Sequence, residues 1–488
     1  MDINRISAFL DAFEKEHIGY LLKIEVKGIN LWHCIKKPIY HGLRHKYIST
    51  SSQVRKKNIR LYLIQKTIVY FLKLIWAFIT KRNATLVVTN SANKLSKDEW
   101  GNCLDPFIDH LILSGTIKRY LYFEHLSNTI STYGTAVKRD FNNDGIRIPI
   151  NFLKRFCSKS RSLKNDINIL NQKIRDFANK EGYNIILPVD MLMNIVSRFL
   201  AELKWQSFVL RLLRPRRILI VDGIPDGLIV AAKKRGVKTY ELQHGFISYV
   251  KSEYIISSNF RHLKNKMPVT DYVCVFGNYF KDFLLQSGFW DKENIIVLGS
   301  ASVEKKRASS KPIFDFNRIE AIFTGQPSMF SHSKFFLHEM SKLSFCGKIY
   351  IKPHPLERLE NINFYKKLVE DNKNKFAFVQ PSENIMDSLN EKNLLISYYS
   401  TTLIEAAALG YPCITISTEA FPNGINDLFY QQFVEIFRPL QTPFQLVNLF
   451  KQLRDNDSFA KQWCENSYKV GSYFYAIDYF KNIKYFQE

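Results

Sequence analysis

The sequence predicts an α/β protein of two doubly wound halves facing a cleft, with a helical, basic N-terminal extension. Three observations predict it. Short apolar runs alternate with amphipathic helical stretches from residue 84 onward, the alternation is interrupted by the polar stretch "KKRASSKP" (305–312), and residues 1–83 lack it. Strand, short helix, glycine stop and second strand is the signature of a parallel sheet.

Taken in order, residues 1–83 read as mainly helical. "NATLVVTNSANKL" (83–95) reads as a strand and polar turn, "DPFIDHLILSG" (105–115) as a helix closed by Gly115, and "IKRYLYFEHL" (117–126) as a second strand. Residues 134–170 are polar and basic with little periodicity, which suggests a surface insertion or lid. Helical patterning resumes in "LNQKIRDFANKEG" and "MLMNIVSRFLAELKWQSFVLRLL". "RRILIVDG", "IPDGLIVAAKKRG" and "VKTYELQHG" then form a strand–helix–strand unit with its helix ending at Gly236, and residues 271–302 repeat it. The second half restarts with strands "IEAIFTGQPS", "GKIYIKPHP", "FAFVQ", "NLLISYYS" and "PCITIST", separated by helices. Residues 426–488 read as helical and aromatic-rich. The expected domains are 1–83, 84–305, 306–455 and a set of helices, 456–488, packing back on the first α/β domain.

A chain of 488 residues is long enough for two or three domains with real cores. With 46% hydrophobic and 23% charged residues it is not a mostly disordered chain. Its 7 cysteines form no C-x-x-C pair and no Cys/His cluster, so neither a zinc site nor a disulfide framework is indicated and a reducing, cytoplasmic setting fits. The first residues show no secretory pattern.

The formal charge of +24 asks for an acidic partner. Residues 1–100 hold 18 Lys and Arg against 7 Asp and Glu. No zinc finger, RNA-binding-sheet signature or basic zipper is present, so nucleic acid is not the expected partner. In "SSQVRKKNIRLYLIQKTIVYFLKLIWAFITKRN" (51–83) a long apolar helix is bracketed by basic clusters. Lys66 and Lys73 argue against spanning a bilayer. A buried helix of the fold is the favoured reading, and a helix lying at an anionic membrane surface is the alternative.

The chemistry-bearing residues sit at strand ends. In "KIYIKPHPLERLE" (348–360) two prolines hold His354 extended just past a strand that ends in Lys352. Ligands of open α/β sheets bind at that edge. "NLLISYYS" runs into "TTLIEAAALG", whose helix start is crowded with Ser400, Thr401 and Thr402. Free N–H groups and the positive helix end there suit phosphate. Thr402-x-x-Glu405 also matches a capping box, which would account for Glu405 by stability alone. Otherwise Glu405 is placed to accept from ribose hydroxyls, and Gln326 is a further candidate at that edge. In the first half, "ELQHGFIS" ends a strand on His244 and "IVDGIPDG" ends one on Asp222. A near-neutral imidazole there suits a general base toward an acceptor hydroxyl.

"KPHP", "SYYSTTLIEAAALGYP", "LQHG", the segment 271–304 and "INLWHCIKKPIY" (29–40) together resemble bacterial glycosyltransferases of the GT-B fold that build surface polysaccharides. The likeness is to capsular-polysaccharide transferases and to CMP-sugar (sialyl- and Kdo-type) transferases of capsule and lipopolysaccharide synthesis, and it spans most of residues 30–415. It implies two Rossmann-like domains and a nucleotide-sugar donor. His354, Ser400 and Thr401 would hold donor phosphate and Glu405 the ribose. Val221-Asp222-Gly223 only partly matches the acidic base motif of the sialyltransferases, which raises His244. A similar His-Gly and a K-x-H-P motif occur in teichoic-acid glycerophosphate transferases, but Thr-Thr-Leu-Ile-Glu departs from their helix start and favours a sugar donor.

The leading expectation is therefore a glycosyltransferase using a nucleotide sugar and a glycan or lipid-linked acceptor, peripheral at the inner face of the cytoplasmic membrane. No D-x-D motif stands in a loop after a strand, and no metal or cofactor is expected, because Lys352, His354 and the helix start can neutralise the departing phosphate. A polyol-phosphate transferase, a nucleotide-sugar epimerase and a non-catalytic basic scaffold are the competing readings.

Overall fold

Apolar strands, buried on both faces, form the centre of each of two units. The computed structural model describes residues 3–48, 59–91, 96–97, 102–125, 135–157, 161–183, 185, 187–221, 226–247, 254–309, 316–355, 357–381, 383, 385–389, 394–398, 400–417 and 433–487. The first unit comprises Met1–Val275, Lys281–Ile296 and Lys484–Glu488, and the second Phe276–Phe280 and Val297–Ile483.

The first unit opens with α1 (Ile3–Leu21), a small hairpin of β1 (Glu25–Val26) and β2 (Ile29–Asn30), α2 (Trp32–Ile48) and α3 (Ile59–Thr80). Then come β3 (Thr85–Asn90), the antiparallel pair β4 (Ser96–Lys97) and β5 (Cys103–Leu104), α4 (Asp109–Leu113), β6 (Tyr120–His125) and β7 (Phe141–Asn142). Helices α5 (Arg147–Cys157), α6 (Arg161–Lys180) and α7 (Val189–Leu213) lead to β8 (Arg217–Ile220), α8 (Asp226–Lys233), β9 (Lys238–Leu242), β10 (Tyr272–Val275), α9 (Asn278–Gln286) and β11 (Ile295–Val297). The sheet order is β11-β10-β9-β8-β3-β6-β7. The helix α8 stops as expected: Gly236 adopts φ +68°, and its N–H and that of Val237 return to the carbonyls of Lys233 and Ala232.

The second unit continues with α10 (Ala301–Ser309), β12 (Glu320–Thr324), α11 (Phe330–Lys342), β13 (Lys348–Lys352), α12 (Leu359–Asp371), β14 (Phe376–Phe378), α13 (Ile385–Ser388), β15 (Leu394–Ser397), α14 (Thr401–Ala408) and β16 (Cys413–Ile416). It ends with α15 (Val434–Phe437), β17 (Pro439–Leu440), α16 (Pro443–Asp455), α17 (Asp457–Phe474) and α18 (Tyr479–Asn482). All pairings in the order β14-β13-β12-β15-β16-β17 are parallel. Phe323, Ile351, Leu394 and Ile396 of the strands pack with Phe336, Tyr365, Leu446 and Trp463 of the helices in one core.

Both sheets are thus wound outward from their first long strand, β3 or β12, first to one side and then to the other. That is the doubly wound, Rossmann-like α/β order. Two doubly wound α/β units with a helical N-terminal region, as read from the sequence, are observed.

Four local readings change. Residues 147–157 and 161–170 are helical rather than an aperiodic insertion, the second stretch extending backward the helix expected from 170, where Leu163, Ile167, Leu170, Ile174 and Phe177 fall on one buried face. Residues 1–83 carry a hairpin among their helices and fall within the first unit. Of the terminal helices expected to pack back on the first domain, α17 packs within the second unit, whereas only 484–488 belong to the first, where Phe486 faces Tyr240. The helix α3, expected to be buried, is mostly exposed, with only 17% of its most apolar stretch buried. Its apolar residues run around most of the helix, and one stripe, Tyr70, Leu74 and Ala77, suffices to dock it.

In the second unit Gly471 of α17 touches α14: a Cβ there would lie 2.3 Å from Ala408 Cα and 2.5 Å from Ala407 O. Backbone cannot yield to such an approach, so α17 fixes where α14 sits. Gly471→Ala should cost about 1–3 kcal/mol of stability, read as a lower urea midpoint with unchanged slope.

Candidate functional site

In the second unit the winding reverses between β12 and β15. Lys352 of β13, Thr324 of β12 and Ser397 of β15 lie in one register row at the carboxyl edge. Two ladder spacings, about 10 Å, separate the outer two backbones. The Ser397 hydroxyl donates to Thr324 O and the Thr324 hydroxyl to Ile396 O, each at 3.3 Å, closing the two strands against each other. Connections from the two strands depart in opposite directions here, so the crevice above them is left for a ligand.

His354 stands two residues beyond β13 and is half-buried. Burial, with the positive charge of Lys352 adding to it, holds its pKa below the ordinary histidine range, so the ring is neutral at pH 7. Its carbonyl accepts from Glu357 N–H at 2.9 Å, which turns the chain after the two prolines. The Gly325 N–H donates to Lys352 O at 3.0 Å, drawing the loop after β12 against Pro353. A Cβ at Gly325 would sit 3.2 Å from Tyr365 Oη. Gln326 follows in extended geometry, half-exposed, with its carbonyl accepting from Met329 N–H.

Lys352 is 6% exposed and its Nζ donates to Pro381 O at 3.1 Å, beyond the end of β14. Desolvation pulls its pKa down to about 8. The ammonium therefore leans to the side of β13 away from β15. It contributes positive potential to the edge, while its hydrogen bond anchors the 380–381 loop.

Ser400 is the N-cap of α14, in extended conformation, with its Oγ accepting from Thr402 N–H at 3.3 Å and from Thr402 Oγ1–H at 2.7 Å. Thr401 and Thr402 are half-exposed in the first turn. The capping box expected at Thr402 and Glu405 does not form. With the cap at Ser400, the third helical position is Leu403, and Glu405 lies beyond reach of the cap. Glu405 instead accepts a hydrogen bond from Tyr475 Oη at 3.4 Å, and burial without a cation pushes its pKa up to about 7. Tyr475 is held by stacking on Phe276, centroids 4.9 Å apart. One edge thus brings together His354, Gln326, Ser400, Thr401 and Thr402, with Glu405 one turn further into α14.

Two features escaped the sequence reading. Tyr398, next to β15, pairs with His332 of α11, Oη to Nδ1 3.0 Å, tying the two sides of the switch point. The doubled tyrosine of "SYYS" was the available signal. In the first unit, Arg139 binds Asp109 through two 2.8 Å bonds and covers the Tyr122 ring at 3.7 Å. Tyr122 Oη donates to Asp109 at 2.9 Å, Glu124 lies 3.5 Å from Arg139 Nε, and Thr89 donates to Asp105. Burial, reinforced by Asp109, raises Asp105 to about 7. Four separate segments supply this network at the carboxyl end of β3 and β6, and no local pattern announces it.

His244 lies just past β9 at the carboxyl edge of the first sheet, half-buried. Gln243 next to it donates through Nε2 to Gly245 O at 2.8 Å, forming the turn. Asp222 lies outside the described residues. Among the described residues no group of three or more His, Cys, Asp or Glu side chains is arranged to hold a metal ion. All seven cysteines are free thiols.

No family model matches the chain, and no curated protein matches it by sequence. Solved structures resemble it in chain path. The UDP-GlcNAc 2-epimerase of Neisseria meningitidis, bound to UDP-GlcNAc, matches over 80% of this chain and 96% of its own at 15% identity and a TM-score of 0.44. The wall teichoic acid polymerase TagF, in a variant soaked with CDPG, matches over 87% and 96% at 12% identity and 0.44. MurG of Acinetobacter baumannii matches over 79% and 95% at 10% identity and 0.42.

Removing one partner of a buried pair strands the other charge. Arg139→Met should lower stability by about 3–5 kcal/mol, and Arg139→Met with Asp109→Leu should recover part of the loss. Chemical denaturation of the single and double variants measures both; equal stability of Arg139→Met and the parent would remove the network from the fold's support.

Proposed function

We propose that this chain is a GT-B-type glycosyltransferase that moves a sugar from a nucleotide-sugar donor, with a CMP-sugar favoured, to a lipid-linked or surface-polysaccharide acceptor without a metal ion. The observation that carries the reading is the composition of the β12/β15 edge. A neutral, half-buried imidazole and a hydroxyl-capped helix start flank one crevice, and the carboxylate behind them is not spent on capping.

In this reading the donor phosphate lies between His354 and the N–H groups opening α14, with Thr401 and Thr402 supplying hydroxyl donors. Glu405, as carboxylate, accepts from the ribose hydroxyls. The acceptor oxygen bonds to the anomeric carbon as the bond from that carbon to the phosphate oxygen breaks. The nucleotide leaves with the electron pair of that bond, and its charge is met by the helix end and by Lys352 at longer range. The first unit carries the acceptor, and His244 takes the proton from its hydroxyl, with Asp222 as the second candidate base. Catalysis takes place at the cytoplasmic face of the membrane, where nucleotide sugars and lipid carriers meet.

Nucleotide binding by thermal shift with CMP-, UDP-, GDP- and CDP-linked ligands tests the donor. His354→Ala should weaken the best ligand about 10- to 100-fold, the scale of a hydrogen bond to a charged group. Because the folded pKa of Glu405 is raised to about 7, the carboxylate is present above that pH and lost below it. Donor affinity should therefore fall as pH drops through 7, and Glu405→Gln should flatten that fall. Release of nucleotide only from CDP-glycerol would select the polyol-phosphate reading. Product formed without any acceptor would select an epimerase, and binding of no nucleotide would end the proposal.

A further inference from the structure

Helix α3 turns Leu61, Ile64, Ile68, Leu72, Ile75 and Ile79 outward, with exposures of 74, 42, 56, 62, 56 and 73%. A soluble surface rarely carries so continuous an apolar strip without a partner. The opposite stripe is fixed in the first unit, where Tyr70 packs on Phe141 and Trp205 with centroids 5.0 and 6.0 Å away. Lys73 Nζ also donates to Asp140 O at 2.6 Å. Long and apolar enough to cross a bilayer, α3 is nevertheless held along its length as a wall of a folded unit.

The strip does not end at α3. Helix α5 packs beside it and exposes Phe152 and Phe156 at 58 and 57%. Neither helix contains an Asp or Glu; α3 carries Arg60, Lys66 and Lys73, and α5 carries Arg147, Lys154 and Arg155. At the carboxyl end of α3, Trp76 lies between Lys81 and Lys138, 5.2 and 5.5 Å from its ring centre. An aromatic ring among cations at the border of an apolar strip is the arrangement found at the headgroup level of membranes.

We propose that the α3–α5 face docks on an anionic lipid bilayer, with α3 lying in the plane of the interface and its outward side immersed among the acyl chains. This rests on the transferase reading only in that it brings the enzyme to the surface where a lipid-linked acceptor resides. A bilayer matches both features of the face: it accepts an apolar strip without shape complementarity, and its acidic headgroups match the Lys and Arg residues along the strip, beside which Asp140 and Asp144 are buried. A second copy of the same face would set those cations against one another.

The test uses the full chain with vesicles of phosphatidylcholine alone or mixed with phosphatidylglycerol. Co-sedimentation should occur with the mixed vesicles and weaken as salt rises. Lipids brominated in the acyl chain should quench the tryptophan fluorescence, and Trp76→Phe should remove most of that quenching. Ile68→Glu with Leu72→Glu and Ile75→Glu should weaken the partitioning at least about tenfold, and Phe152→Ser with Phe156→Ser should weaken it by a smaller factor. These positions are exposed, so the variants should keep the parent's thermal midpoint. Absence of vesicle binding, binding that survives the triple variant, or a soluble dimer that the triple variant dissociates would each overturn the proposal. Nucleotide binding in vesicle-free solution reads the transferase proposal separately, so either can fail while the other stands.

Discussion

The reversal of winding between β12 and β15 is the constraint on which the second unit's candidate site depends. Parallel strands need crossover connections, and right-handed crossovers from adjacent strands that run in opposite directions must leave by opposite faces. The backbone ends of the two strands are then uncovered. The sequence places its most polar turns at that point: Gly325-Gln326 after β12, Ser400-Thr401-Thr402 after β15, and Lys352-Pro353-His354 one strand away. Hydroxyl-to-carbonyl bonds between Thr324 and the end of β15 hold the floor of the crevice shut, so its walls and not its base are the parts that can meet a ligand.

Electrostatics divides the work among these groups. The helix start offers positive potential without a titratable group, and its strength is set by Ser400 keeping the first turn in register. His354 is neutral in the unliganded protein because burial and Lys352 both oppose its charging. An anion arriving beside it would reverse that balance. Glu405 is the opposite case, a carboxylate that accepts from the neutral hydroxyl of Tyr475. A neutral donor cannot stabilise it as a cation would, which leaves it receptive to further hydroxyls. The first unit spends its buried charges differently: Arg139 satisfies Asp109 and approaches Glu124, so that network braces strand ends.

Much of this was legible in the sequence. Strands buried on both faces are written as unbroken apolar runs, and the second-half strands β12, β13, β15 and β16 stand where those runs predicted. Prolines around His354 and the hydroxyl cluster at 400–402 marked the edge for the same local reason. What failed to show was whatever depends on distant partners. The cap of α14 turned on the extended backbone of Ser400, which a pattern of Thr and Glu three positions apart does not report. Helix α5 and the first half of α6 were overlooked because their few buried positions stand among polar and basic residues. The exposure of α3 was hidden because an all-round apolar helix reads the same whether protein or lipid surrounds it. Arg139, Asp109, Tyr122, Glu124 and Thr89 meet only in the folded unit.

Histidine-selective NMR is the most direct probe of phosphate held between His354 and the start of α14. With the His354 resonance assigned through His354→Gln, addition of a cytidine or uridine diphosphate should shift it and raise its pKa by about one unit or more, as a nearby anion favours the imidazolium. The corresponding nucleoside should leave the titration where it was. A diphosphate that binds the protein yet leaves the His354 titration unchanged would contradict the placement of phosphate at this edge.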